Sequence, residues 1–117
     1  APYISEISRE MCFLLQDDGL QIGAAATFGE GRDSIVGCIH PRSILDAINT
    51  ILSTATIPRD AIFISCTSLK CATVIAIAES QHGIPIISSN SAIAWDMARL
   101  ARLAIPASEK GLLFQQD

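Results

Sequence analysis

Apolar residues recur at three- and four-residue steps over Ile4 to Asp17, where Ile4, Ile7, Met11, Leu14 and Leu15 fall on one face and predict an amphipathic helix. Ser5 is placed to cap its start and Gly19 to end it. The short apolar run Leu20 to Ala26 predicts a strand. Thr27 to Ile39 reads as a long loop holding Gly29, Gly31, Gly37 and the charged group Glu30-Arg32-Asp33. Its glycines permit close approach of backbone to a ligand, and a plain surface loop explains them equally well. Pro41 suits a first helical turn, and Ile44, Leu45, Ile48, Ile51 and Leu52 then mark a second amphipathic helix. A connector over Thr54 to Asp60 leads into the apolar run Ala61 to Ile64, a predicted strand. A third helix is predicted from about Leu69 to Gln81, closed by His82 and Gly83 with Pro85 just beyond. Pro85 to Ile87 is the next apolar strand. Ser88-Ser89-Asn90-Ser91 follows, with Asn90 or Ser91 placed to cap a fourth helix carrying Ile93, Met97, Leu100 and Leu103. Pro106 is expected to stop that helix, and Leu112-Leu113-Phe114 to dock on the body of the domain.

Strands that alternate with helices predict an α/β fold, a small parallel sheet with helices on both faces. Three strands is few, and a helix as first element suggests that a strand precedes it outside this chain. The length, 117 residues, suits one domain and one core. Half of the residues are hydrophobic and 17% charged, which suits a small α/β domain with a nearly all-apolar sheet and equally a lobe whose face is covered by something else. The net charge of −4, without a basic run, disfavours nucleic acid and anionic membrane as partners. No apolar stretch approaches the roughly 20 residues of a membrane span. The start, Ala1-Pro2-Tyr3, has neither the basic leader nor the apolar core of a signal peptide, and lacks an initiator methionine, which hints at an excised or processed chain. The cysteines, Cys12, Cys38, Cys66 and Cys71, form no CxxC and no regular framework, so reduced thiols in a cytoplasmic protein are expected. His40 and His82 stand alone, and no metal site is expected.

The candidate chemistry lies in Asp60 to Lys70, where a buried strand runs into Ser65-Cys66-Thr67-Ser68 and a helical pattern follows. Strand, polar turn and helix place a ligand at the carboxyl end of a parallel sheet. They would also set the Cys66 thiol beside the positive end of a helix, where its thiolate is favoured. The second polar turn, Ser88 to Ser91, ends the next strand, so both turns share one edge. Free N–H groups at two helix starts would suit a carboxylate or phosphate there. The plainer reading of Cys66 is a small buried residue at a strand end. Cys71 and Cys12 read as packing residues and Cys38 as ambiguous. Trp95 reads as a partly buried aromatic or a contact with another lobe, His82 as a helix-end cation, and His40 as a loop residue.

These residues resemble the carboxyl-terminal half of the aspartate/glutamate racemase superfamily, in the branch of maleate cis–trans isomerase and arylmalonate decarboxylase. Pro2 to Ile7 is similar to the PY(I/T)xEV segment that opens the second half of such proteins. Phe63 to Leu69 is similar to the segment bearing their catalytic cysteine. Gly83 to Asn90 looks like their GxPVxSSN stretch, with Trp95, Arg99 and Leu100 matching the W-x-x-x-R-L pattern after it. Lys110 to Phe114 resembles their closing G-R-L-F, with Leu112 where arginine is usual.

The resemblance implies a flavodoxin-like lobe, one of two in a racemase-type fold, with the active site in the cleft between lobes. It implies that Cys66 is the acid/base thiol that protonates or deprotonates a carbon next to a carboxylate. It assigns Tyr3 and the N–H of Thr67 to binding that carboxylate, and adds Asn90 and Ser34 as substrate-binding. Ser34 and Asp33 stand nearest the place where the isomerases carry an asparagine. No cofactor or metal is implied. The implied partners are a small carboxylate or dicarboxylate substrate, and a missing amino-terminal lobe or further copies of the chain. No second SCT-type turn occurs in the chain, so residues 1–117 would form a carboxyl-terminal half that holds half an active site and is inactive alone. The reaction implied is isomerisation, racemisation or decarboxylation. The alternative is a non-catalytic α/β lobe that binds an acidic ligand or a protein partner.

Overall fold

The computed structural model describes residues 1–55, 57–105 and 111–115. Five helices and a two-stranded parallel sheet give the expected α/β arrangement. The helices are α1 (Ser5–Asp17), α2 (Asp33–Val36), α3 (Pro41–Thr54), α4 (Ala72–His82) and α5 (Ser89–Ala101). The strands are β1 (Ile62–Ile64) and β2 (Ile86–Ser88), paired in parallel with Ile62 opposite Ile86, Phe63 opposite Ile87 and Ile64 opposite Ser88. A 3-10 turn over Leu112–Gln115 packs on α5 and β2, which is the docking expected of Leu112-Leu113-Phe114. Pro106, the expected stop of α5, lies outside the described residues, as do Lys110 of the closing motif and Thr56 of the connector.

The core forms where the periodic stripes meet. Ile44, Ile48 and Leu52 turn one face of α3 inward, and Val74, Ile75 and Ala78 do so for α4. Ile62 and Ile64 of β1 and Ile86 of β2 complete the cluster. Two helix ends follow from their sequence punctuation. His40 caps α3 by accepting the Arg42 N–H at its Nδ1 (3.1 Å), with Pro41 at the first helical position. Gly83 ends α4 in the left-handed conformation, φ 68°.

Four expectations change. Leu20 to Ala26 forms no strand and belongs to no sheet, because an apolar run becomes a strand only where a neighbouring backbone completes its ladder. The described sheet therefore has two strands, not three. The long loop contains the helical turn α2, closed by Val36, which is 2% exposed in the core. Ser5 lies inside α1 and makes no cap; Ile4 occupies that position without a side-chain bond. The cap of α5 is neither Asn90 nor Ser91 but Ser88, because β2 runs one residue further than expected. Ser88 Oγ accepts the Ser91 N–H (3.1 Å), and Ser91 Oγ accepts the Ser88 N–H (2.8 Å), a reciprocal pair of capping bonds. Ser88→Ala is expected to cost about 1 kcal/mol of stability, the usual value of a lost N-cap, read as a lower urea midpoint at unchanged slope.

The apolar stripes of α1 and α5 are only partly buried. Ile7, Phe13 and Leu14 on α1, and Ile93, Met97 and Leu100 on α5, are all exposed. Among the described residues, no helix is long and apolar enough to cross a membrane.

Candidate active site

Cys66 stands two residues beyond the end of β1, at the carboxyl edge of the sheet, and is 7% exposed. Its backbone has φ 101°, in the left-handed region that side chains other than glycine rarely adopt. Such a conformation costs on the order of 1–3 kcal/mol and persists only where surrounding contacts hold it. One such contact is its own N–H, which donates to Ser89 Oγ at 3.1 Å.

The expected position of the thiol at the start of the following helix is not found. Thr67 to Lys70 form a turn, and α4 begins only at Ala72 with Cys71 at its cap. The reason is Leu69, which is 2% exposed and plugs into the core instead of opening the helix. Its carbonyl accepts the Cys71 N–H at 3.0 Å, a tight bend that delays helix entry. Cys71 is the thiol at the helix start. Burial, and secondarily the neighbouring Cys66, pushes it up to about 11, so it is a protonated packing residue at neutral pH. The helix that hydrogen-bonds the Cys66 backbone is α5, through Ser89.

Tyr3 lies across from this turn. Ser65, buried beside Cys66, donates from its hydroxyl to the phenol oxygen at a long 3.4 Å. Burial pushes the phenol above its ordinary value; the Ser65 hydroxyl opposes the rise, and the Cys66 side chain and then the Asp33 charge add to it. The phenol is therefore protonated at neutral pH and carries a hydrogen it can donate. The first loop holds the Tyr3 backbone in place. The Thr27 hydroxyl donates to the Tyr3 carbonyl, and the Glu30 N–H donates to the Pro2 carbonyl at 2.7 Å. Two members of this loop's charged group pair with each other: Arg32 Nε meets Glu30 Oε1 at 2.9 Å and lowers the Glu30 carboxyl to about 2.

Thr67 is exposed, and among the described residues its N–H has no partner. Its carbonyl accepts a hydrogen from Asn90 Nδ2 at 2.9 Å, which leaves one amide hydrogen of the exposed Asn90 available. Ser34 is exposed on α2, and its carbonyl accepts the Cys38 thiol at 3.3 Å. The Ser34 hydroxyl bonds to none of the other candidates, yet α2 lies against their turn: a Cβ on Gly37 would sit 3.9 Å from the Ser68 carbonyl. The structure thus joins Cys66, Tyr3, Thr67 and Asn90 in one network through Ser65 and Ser89, and leaves Ser34 beside it. An open depression of about 460 Å³ adjoins this network, with Thr67, Lys70, Thr73, Asn90 and Ser91 on its wall; Cys66 is not on that wall. The described residues contain no cluster of acidic, histidine and cysteine side chains fit for a metal ion.

Ser65 and Ser89 were readable only as small polar residues of the two turns; their bonds cross from one turn to the other, which no spacing reveals. His82 bonds through Nε2 to Asn49 Oδ1 at 2.7 Å, tying α4 to α3 away from this edge. Trp95 is half-buried, with the Arg99 guanidinium 5.7 Å from its ring centre.

Residues 1–114 match the family model described as arylmalonate decarboxylase. Over 118 aligned residues the chain is 26% identical to the maleate isomerase of Nocardia farcinica, covering 99% of this chain and 45% of that protein. Its fold superposes with a TM-score of 0.87 on a cysteine-to-serine mutant of the Nocardia farcinica maleate cis–trans isomerase with a covalently bound succinylcysteine intermediate, at 26% identity and over 46% of that chain. Maleate isomerase from Pseudomonas putida gives 0.85 at 22% identity, with 97% of this chain and 45% of that one covered. The chain spans about half the length of these relatives.

Proposed function

The chain belongs to the arylmalonate decarboxylase family, and on that premise we propose that it is the cysteine-bearing lobe of an enzyme acting, without a cofactor, on small carboxylic acids. The observation that carries this reading is the convergence at one sheet edge of a buried thiol on a left-handed residue, a protonated phenol and a backbone N–H without a partner among the described residues. In this reading the Tyr3 phenol and the Thr67 N–H hold one carboxylate of the substrate by donated hydrogen bonds, with Asn90 and Ser34 at its margin. Charge building on that carboxylate as an enediolate forms is stabilised by the same donors.

Cys66 then handles the proton at the adjacent carbon. In a decarboxylation, loss of CO₂ leaves its electron pair on that carbon as the enediolate, and the Cys66 thiol delivers the proton that quenches it. In a racemisation, a Cys66 thiolate removes the α-hydrogen and a group on the opposite lobe returns one to the other face. In an isomerisation, a partner cysteine's thiolate adds to one alkene carbon, the π electron pair passes to the other carbon as the enediolate, and the Cys66 thiol protonates it; after rotation about the new single bond, the Cys66 thiolate takes that proton back and the partner thiolate leaves as the double bond re-forms. The succinylcysteine in the Nocardia relative shows that a cysteine of that protein bonds to a four-carbon dicarboxylate skeleton. The Pseudomonas relative, as a cysteine-to-alanine variant, binds maleate, which makes a small dicarboxylate the first substrate class to try.

The opposing lobe supplies the other face of the substrate, so residues 1–117 by themselves lack most of the positioning on which catalysis depends. The uncovered stripes of α1 and α5 fit a surface that such a lobe, or a further copy, would cover. Four free thiols fit a reducing, cytoplasmic setting.

The test is ¹H NMR in D₂O on the full-length protein with maleate, an arylmalonate, aspartate and glutamate. Conversion to fumarate, to α-deuterated arylacetate, or exchange of an α-hydrogen is the expected result for at least one of them. No conversion and no exchange in any, with tight binding of an acid retained, would replace the enzyme by the non-catalytic binding lobe.

A further inference from the structure

We propose that the first turn of α5 is the device that holds the Cys66 turn in its working shape, with Ser89 as the positioning residue. The inference rests on the cysteine role proposed above. It begins from a conflict: Cys66 has φ 101°, and cysteine, unlike glycine, does not settle there unaided. Two bonds bracket the offending residue. On its amino side the Cys66 N–H donates to Ser89 Oγ at 3.1 Å, and one residue on, Asn90 Nδ2 donates to the Thr67 carbonyl at 2.9 Å.

Both grips come from consecutive residues at the start of one helix, and that start is itself fixed twice. Ser88 ends β2, where it pairs opposite Ile64 of β1, and its hydroxyl and that of Ser91 close the reciprocal cap. The Cys66 turn is therefore tied back to the strand it leaves through the neighbouring strand and helix. Three successive residues divide the work: Ser88 caps α5, Ser89 holds the Cys66 amide, and Asn90 holds the Thr67 carbonyl. Among the described residues Ser89 Oγ bonds to no group of its own helix, so its hydroxyl serves the turn rather than α5.

The chemical consequence is a choice of donor. With the Cys66 N–H turned onto Ser89, it is not available to a ligand, and the next N–H along, that of Thr67, has no partner among the described residues. Ser89 thus sets where the sulfur sits and which amide faces a carboxylate.

The test compares Ser89→Ala and Ser89→Thr in the full-length protein. Ser89→Ala is expected to lower kcat by about 10- to 100-fold, the range for a reacting group displaced by about an ångström. It should also change the rate at which iodoacetamide alkylates Cys66, followed by mass spectrometry of the peptide containing it. Ser89→Thr, which keeps the hydroxyl, should restore most of both, whereas a merely structural defect would show in the melting temperature and not be rescued. In the unsubstituted protein, the Cys66 amide should exchange its hydrogen far more slowly than the Thr67 amide, a measurement that needs no variant to fold. Equal exchange at the two amides, or Ser89→Ala with unaltered kcat and Cys66 alkylation, would overturn the proposal. If Cys66→Ala leaves turnover unchanged while the exchange and alkylation results hold, the grip stands and the catalytic reading fails instead.

Discussion

Cys66→Ala in the full-length protein is expected to lower kcat by about 100- to 10,000-fold, the range that a positioned acid–base group contributes. KM should change little, because the proposed carboxylate donors are the Tyr3 phenol and the Thr67 N–H, not the thiol. The fold should survive: alanine keeps Cβ, removes one buried sulfur, and meets the same backbone conformation that cysteine already tolerates. That conformation supplies a control. At φ 101° glycine is at ease where alanine is strained, so Cys66→Gly should be the more stable variant by about 1 kcal/mol while being equally inactive. The measurements are steady-state rates on the substrate identified by NMR and urea midpoints for both variants. An alanine variant that turns over substrate at the unsubstituted rate removes Cys66 from the mechanism. An alanine variant more stable than the glycine one would mean that the left-handed backbone at Cys66 is not kept when the thiol is gone.

The sequence exposes the helices and hides the contacts between turns. The stripes of α1, α3 and α5 are local, every third or fourth residue, and Pro41 and Gly83 mark helix ends by chemistry that acts within a few residues, whereas His40, read as a loop residue, proves to cap α3. Gly19 also ends α1 as expected: at φ 94°, its N–H reaches the Gln16 carbonyl and the Leu20 N–H that of Leu15. What failed depends on partners distant in sequence. Leu20 to Ala26 has the residues of a strand and no ladder. Leu69 has the spacing of a first helical residue, but the core takes it. Cys66 was legible as a candidate thiol from the strand–turn pattern and the family resemblance. Its left-handed backbone was not, because nothing about cysteine announces one, and its N–H bonds to Ser89, 23 residues away. Tyr3 shares a bond with Ser65 across 62 residues, and only the resemblance had brought the two segments together.

A buried carboxylate with no place in the sequence reading carries the second large effect. Glu79, 6% exposed on the inner face of α4, accepts the Ile86 N–H at Oε1 (2.9 Å) and the Leu112 N–H at Oε2 (2.8 Å). One side chain thereby satisfies the first amide of β2 and the first amide of the closing 3-10 turn. Glu79→Ala strands both donors and opens a void, at about 1–3 kcal/mol for each buried donor left without a partner, so a loss of about 3 kcal/mol or more is expected. Glu79→Gln keeps the shape but turns an NH₂ group toward one of the two N–H donors, and should fall between alanine and the unsubstituted protein. Gly111 supplies a cross-check. A Cβ there would lie 2.9 Å from Glu79 Oε2 and 3.0 Å from Ile75 Cγ2, on a backbone at φ 92°. Gly111→Ala is therefore strained by backbone and by crowding together, and removing the Glu79 carboxylate relieves only the crowding against Glu79, leaving the contact with Ile75 and the backbone strain. In a double-mutant cycle read by urea unfolding, the cost of Gly111→Ala should be smaller in the Glu79→Ala background than in the unsubstituted one. Additive costs would mean that the 3-10 turn does not rest on Glu79, and the anchor of β2 would then be the larger share of what the carboxylate contributes.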